Sequence, residues 1–261
     1  MMKRQTRQAD WGGVFARVCL VGGLTWLLAL SPTPQALRQA RLEYARAVQA
    51  GAPALAAKSL ESAAFYEPWR EDFGIAATRY RLQAGDLAIV VISLDRPQVL
   101  AAFTGEDWLR LGDAKLEAGD PLSAEAAWQQ GLQAGSAALE LHDRLHNLYR
   151  QQGKYQAAAD ALRPTLILQP DDPSRPYQLG LYLAALQPTE ALVYLELAAR
   201  EGTLARPASA LQRAIRTAAL QDEPAYTYLQ AGRQLASLGE WVLAGEAFRQ
   251  AVLARPDYAE A

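Results

Sequence analysis

His142 and His146 are the only histidines of the chain, four residues apart in His-Asp-Arg-Leu-His. On a helix this spacing puts both imidazoles on one face, one residue away from the H-E-x-x-H pattern that holds a catalytic zinc. Asp143 stands where that pattern carries its general-base glutamate, and no third ligand is evident. Packing is therefore the stronger reading of the two histidines, and a metal-dependent hydrolase built on them the weaker one. Cys19 is the single cysteine, so neither an intrachain disulfide nor a cysteine-based zinc site can form. The carboxylate pairs Glu106/Asp107 and Asp171/Asp172 read as charges at helix N-termini, where they complement the helix dipole. No serine or cysteine nucleophile with its base is visible. Gly12-Gly13 and Gly22-Gly23 lie in or beside an apolar stretch and not in a phosphate loop. The expectation is a protein that is not an enzyme and carries no cofactor and no metal.

Charge and hydropathy point to a membrane and away from nucleic acid. Lys3, Arg4, Arg7 and Arg17 against Asp10 put +3 on the first 17 residues, leaving −5 on the rest of a chain whose total is −2. A mildly acidic body lacks the basic footprint of a nucleic-acid binder. Residues 18–30 carry no charge, and Ser31-Pro32-Thr33-Pro34 follows as a helix breaker. A basic tail, a short apolar run and a breaker are the layout of a secretory signal or signal anchor. The expected organisation is a basic cytoplasmic tail over 1–17, a signal anchor or signal peptide over 18–34, and a folded region over 35–261. Everything after residue 36 then faces the outer side of a single-pass membrane protein, or is secreted if the signal is cleaved.

The folded region is repetitive. Trp108, Gly112, Gly119, Ala124 and Trp128 recur as Tyr228, Gly232, Gly239, Ala244 and Phe248, with offsets of 4, 7, 5 and 4 residues in both copies. Gly51, Gly85, Gly119 and Gly153 follow one another at 34 residues. Each of these glycines separates two apolar-periodic segments, the place where a helix ends in a left-handed turn. Pro68, Pro170 and Pro256 stop the second segment of a unit. One such hairpin cannot bury its apolar face, but a stack can. The units fall at about 37–70, 71–104, 105–138, 139–172, 173–202 and 225–258. Residues 203–222 fit less well and read as an extra helix, or a half repeat, with Leu211, Ile215 and Ala218 or Ala219 on its apolar face.

These residues resemble the tetratricopeptide repeat family, over roughly 37–258. The resemblance implies an all-α, right-handed superhelical solenoid of about six helix-turn-helix hairpins, preceded here by one N-terminal transmembrane or signal helix. It also implies a protein-binding groove lined by the first helix of each hairpin. Mapped onto this chain, that stripe is Arg110, Asp113 and Glu117, then Asp143, Arg144, Asn147 and Arg150, then Tyr177 and Arg233. Its mixed signs suit a peptide carrying both charges. Arg110 and Arg144 are expected to be exposed and free of packing, so that reversing both charges would leave stability nearly unchanged. At the far end, Val242, Leu243, Phe248 and Val252 read as an exposed apolar face for a partner or a second copy.

The function expected is a membrane-tethered scaffold that binds another protein or peptide, as assembly factor or accessory subunit of a membrane or envelope complex. The alternative is a structural subunit of a large energy-transducing or transport complex, packing through its N-terminal helix.

Overall fold

The computed structural model describes residues 32–200 and 202–257, and these are helices joined by turns, with no strand among them. The expected anchor at 18–30 lies outside the described residues. Among the described residues no helix is long and apolar enough to cross a membrane.

The chain divides into two compact units at Phe103/Thr104. The first holds α1 (Pro32–Gln49), α2 (Pro53–Tyr66), α3 (Glu71–Gln83), α4 (Leu87–Leu94) and the short α5 (Pro97–Ala102). Its core is built from Ala40, Leu60, Ala63, Phe73 and Ala77, small residues alternating with large ones. The rings of Tyr44 and Tyr80 meet edge to face at 5.7 Å beside it. Arg81 ties α3 to α2 through both oxygens of Glu61, at 2.8 and 2.7 Å. Phe65, Trp69 and Ile92 are exposed.

The second unit holds α6 (Gly105–Glu117), α7 (Pro121–Gln133), α8 (Ala138–Gln151), α9 (Tyr155–Leu162), α10 (Thr165–Leu168), α11 (Ser174–Leu186), α12 (Pro188–Ala198), α13 (Ala205–Ala219), α14 (Pro224–Ser237) and α15 (Trp241–Ala254). A single turn chemistry recurs in both units. In each of five turns, the residue after glycine donates its N–H to the carbonyl five residues back. The pairs are Ala52 to Ala47, Asp86 to Arg81, Asp120 to Lys115, Lys154 to Tyr149 and Glu240 to Leu235. This bond closes the helix end around a glycine of positive φ, and Gly119, at +81°, is one of these glycines.

The hairpins pack through a second set of glycines. Gly112 lies against Trp128, Gly180 against Leu195 and Gly232 against Phe248. A Cβ at any of the three would fall within 3 Å of the facing side chain, so only glycine lets the large residue reach the first helix. The middle pair is one residue closer in sequence because the Gln187-Pro188 turn is shorter.

α11 departs from the pattern of an evenly stacked array. Leu179 through Ala185 are buried without a break. Seven consecutive helical residues visit every side of a helix, so no face of α11 is left to solvent over this stretch. It packs against α9, α12, α14 and α15. α13 lies between α12 and α14 and packs on both, burying Leu211, Ile215 and Ala218. With that helix intervening, the last hairpin turns back and sets α15 on α11. This corrects the expectation for the C-terminal face. Leu243 is buried in the main core, and Phe248 packs beneath Gly232, while Val242 and Val252 are exposed. Leu243, buried, and Phe248, half-buried, thus belong to the chain's own core.

Candidate functional site

The sequence stripe begins on α6. A capping box starts this helix: Asp107 accepts from Thr104 N–H at 3.0 Å and Thr104 Oγ1 accepts from Asp107 N–H at 3.4 Å. Arg110 is exposed and approaches Glu106 and Asp107 only at 3.9 and 4.0 Å. Glu117 is exposed at the end of the helix and Asn147 half-buried on α8. Three other charges of the stripe, Asp113, Asp143 and Arg144, are used within the fold. Arg144 on α8 donates from Nε and Nη2 to both oxygens of Asp113 on α6, at 2.8 and 3.0 Å. Arg175 on α11 does the same to Asp143 on α8, at 2.7 and 3.1 Å. Each carboxylate holds its guanidinium further in the charged form. Two-point pairing of this kind fixes direction as well as distance. These pairs therefore set the register of successive first helices.

The expectation that Arg144 is free of packing is thus corrected. An Arg144→Glu change would set a carboxylate against Asp113, so a double reversal with Arg110 would not leave stability unchanged. Arg233 lies exposed on α14, a helix that packs on α11, α12, α13 and α15.

Arg150 and Tyr177 belong to a different feature. Arg150 at the end of α8, Tyr155 at the start of α9, Tyr177 and Tyr182 on α11, Glu240 at the α14–α15 turn and Val242 at the start of α15 line a cleft of about 450 Å³. That volume lies within the range of ordinary ligand sites, about 300–1,000 Å³. The Tyr155 and Tyr182 rings stack at 6.0 Å. Burial, aided by the nearby Glu240 charge, raises the pKa of Tyr177, and burial pushes Tyr182 up to about 12. Among the described residues, Arg150 and Glu240 have no ion-pair partner, and the hydroxyls of Tyr155 and Tyr177 have no hydrogen-bond partner. Sequence reasoning reached Arg150 and Tyr177, placed Val242 on a separate C-terminal face, and missed Tyr155, Tyr182 and Glu240. They meet only because α15 returns to α11.

His146 lies behind this cleft, and His142 stands one turn earlier on α8. His146 is buried, and its Nε2 is 2.9 Å from the Tyr182 hydroxyl. His142 keeps Nδ1 enclosed with no hydrogen-bond partner. Among the described residues no group of three or more His, Cys, Asp or Glu side chains gathers in a way that could hold a metal ion. His146 Nε2 is engaged with the Tyr182 hydroxyl.

Burial lowers the pKa of both imidazoles; at His146 Arg150 and Arg175 reinforce the effect and Asp143 opposes it. A histidine whose folded pKa lies below its unfolded value of about 6.5 binds fewer protons folded than unfolded between the two. Stability therefore falls as pH drops from about 6.5 toward the folded pKa and is retained above it. The thermal midpoint is expected to decline between pH 7 and pH 5. A His142→Gln/His146→Gln variant should show a clearly flatter decline over that window, where paired carboxylates have not yet begun to protonate. Parallel profiles for the two proteins would contradict the assignment.

No protein-family model matches this chain, and no curated protein matches it. Several solved structures are similar to it. MamA is 17% identical with a TM-score of 0.46, over 63% of this chain and 91% of that one. YrrB, described as a TPR protein with an unusual peptide-binding site, is 17% identical with a TM-score of 0.41, over 78% of this chain and 96% of that one. PilF of Pseudomonas aeruginosa is 15% identical with a TM-score of 0.39, over 88% and 96%. These likenesses concern the fold alone. The hairpin architecture rests on the helices and glycine turns themselves.

Proposed function

We propose that the chain is a non-enzymatic scaffold that binds another protein through the tyrosine-lined cleft. We further propose that residues 18–30 hold it at a membrane, with the basic tail cytoplasmic and the helical units on the outer side. Its role is then to gather or steady components of a membrane or envelope complex. The observation that carries the binding reading is the contrast within the second unit. Asp113, Asp143, Arg144 and Arg175 satisfy one another, whereas Arg150, Glu240, Tyr155 and Tyr177 face one cleft with polar groups unspent. Tyrosine and arginine in a concave site are the residues that most often dominate binding energy.

A second reading, as a stoichiometric subunit of a large membrane complex, is favoured by the exposed Phe65, Trp69 and Ile92 of the first unit. Native copurification with quantitative mass spectrometry separates the two. A subunit stays in fixed ratio to a large assembly, while a scaffold is recovered with one or a few partners.

Combining Arg150→Glu with Tyr177→Ala is expected to weaken the recovered partner by at least about 30-fold, from a loss of about 2 kcal/mol or more. Full binding by that variant would remove the cleft from the reading. The membrane part is tested by alkaline carbonate washing. Full-length protein should stay in the pellet, and a chain beginning at Leu37 should be soluble. Full-length protein in the supernatant, still starting at Met1, would contradict tethering.

A further inference from the structure

Resting on the reading of the cleft as a protein-binding site, we propose that its ligand is a peptide segment of mixed charge. One large apolar or aromatic side chain sits against Tyr177, Tyr182 and Val242, an acidic side chain meets Arg150, and a basic one meets Glu240. The walls supply this pattern. Arg150 closes the cleft from the C-terminal end of α8 and acts on Tyr182 and His146 beneath it. Glu240 closes it from the turn before α15 and acts on Tyr177 and Tyr182. The cleft thus carries a charge of each sign on different elements, with aromatic surface between them.

Each charge has a reason to seek an outside partner. Arg144, Arg175 and Arg163 each hold a carboxylate at 2.8 Å or less, whereas Arg150 has none among the described residues. Ligands of a single charge sign are disfavoured, because a polyanion would meet Glu240 and a polycation would meet Arg150. Like charges brought together at an interface are a strong source of rejection. The apolar part of the ligand has a lip to rest on, since Val242 is 68% exposed and neighbouring Trp241 71% exposed. Covering such residues recovers apolar area that the free protein leaves in water.

The test is a random-peptide phage library selected on full-length protein in detergent micelles. Enriched peptides are expected to carry a large apolar or aromatic residue with an acidic residue on one side and a basic residue on the other. Arg150→Glu and Glu240→Arg should each weaken these peptides by at least about tenfold. The double exchange Arg150→Glu/Glu240→Arg should instead prefer peptides with the two charges transposed. Circular dichroism and the thermal midpoint of each variant check folding. The milder Arg150→Gln and Glu240→Gln serve if a reversal unfolds the protein, each abolishing selection at one charge only. Peptides lost on Tyr177→Ala but lacking the charge pattern, or showing one sign only, would overturn the mixed-charge ligand and leave the cleft as a binding site. Peptides indifferent to every cleft substitution, or no enrichment at all, would overturn both.

Discussion

Trp128→Ala is expected to destabilise the second unit by about 3–5 kcal/mol, the range for removing a large aromatic side chain from a core. Trp128 is fully buried on α7, and its neighbours there include Leu141 and Leu145 of α8. Its Nε1–H donates to the carbonyl of Leu109 at 3.3 Å, so part of the ring's edge is tied to the first helix of its own hairpin. The ring therefore joins α6 to α7 and supports α8 at once, and a cavity left there has helix backbone on one side that cannot readily collapse. Whole domains are stable by only about 5–15 kcal/mol, so the loss would be a large fraction of the total. Denaturant unfolding of the intact chain measures it. A change below about 1 kcal/mol would mean that the hairpin contact contributes little.

The second large effect is expected at the glycine facing that ring. A Cβ on Gly112 would stand 2.2 Å from Trp128 Nε1 and 2.4 Å from Cδ1. Overpacking a rigid core costs about 1–3 kcal/mol and occasionally more, and here the clashing group is itself fully buried. Gly112→Val should fall at or above the top of that range, about 3 kcal/mol. Gly119→Val offers the contrast. Nothing lies within 4 Å of its added Cβ, but its φ of +81° disfavours a β-branched residue, so a smaller loss of about 1–2 kcal/mol is expected. Combining Gly112→Ala with Trp128→Leu should cost less than the sum of the two changes, because the smaller residue vacates the space that the methyl needs. Additive losses in denaturant unfolding would show that the two positions do not share a contact.

The two glycine sets also show why much of the hairpin architecture could be read in advance. Gly119 and its equivalents act through their own backbone and the five residues before them. Gly112 and Trp128 act across one short turn, sixteen residues apart. The candidate site was only partly legible. Arg150 and Tyr177 could be mapped because they lie on first helices, but the sequence could not say that Arg144 is spent on Asp113. Guanidinium–carboxylate pairing between successive helices depends on their offset and rotation, and side chains of either sign on an exposed stripe look alike in the sequence. Leu243 and Phe248 were misread for a related reason. Their apolar character is visible, but which element covers them is not.

The sequence alone determined the helices, the glycine turns that end them, and the mildly acidic, mixed charge of the body, because each depends on residue types at short spacing or on composition. The apolar, uncharged run at 18–30 is likewise a property of the sequence, and the membrane role built on it remains a proposal. Only the tertiary structure decided that α15 returns to α11, that the stretch 179–185 of α11 is enclosed on every side, and that Arg150, Tyr155, Tyr177, Tyr182 and Glu240 line one cleft. Those residues span α8 to α15, with α13 inserted before the last hairpin. A small change in the direction of one helix is carried forward to everything after it. The position of a distant hairpin is therefore fixed by the sum of all intervening packings, and no local pattern of residues contains that sum.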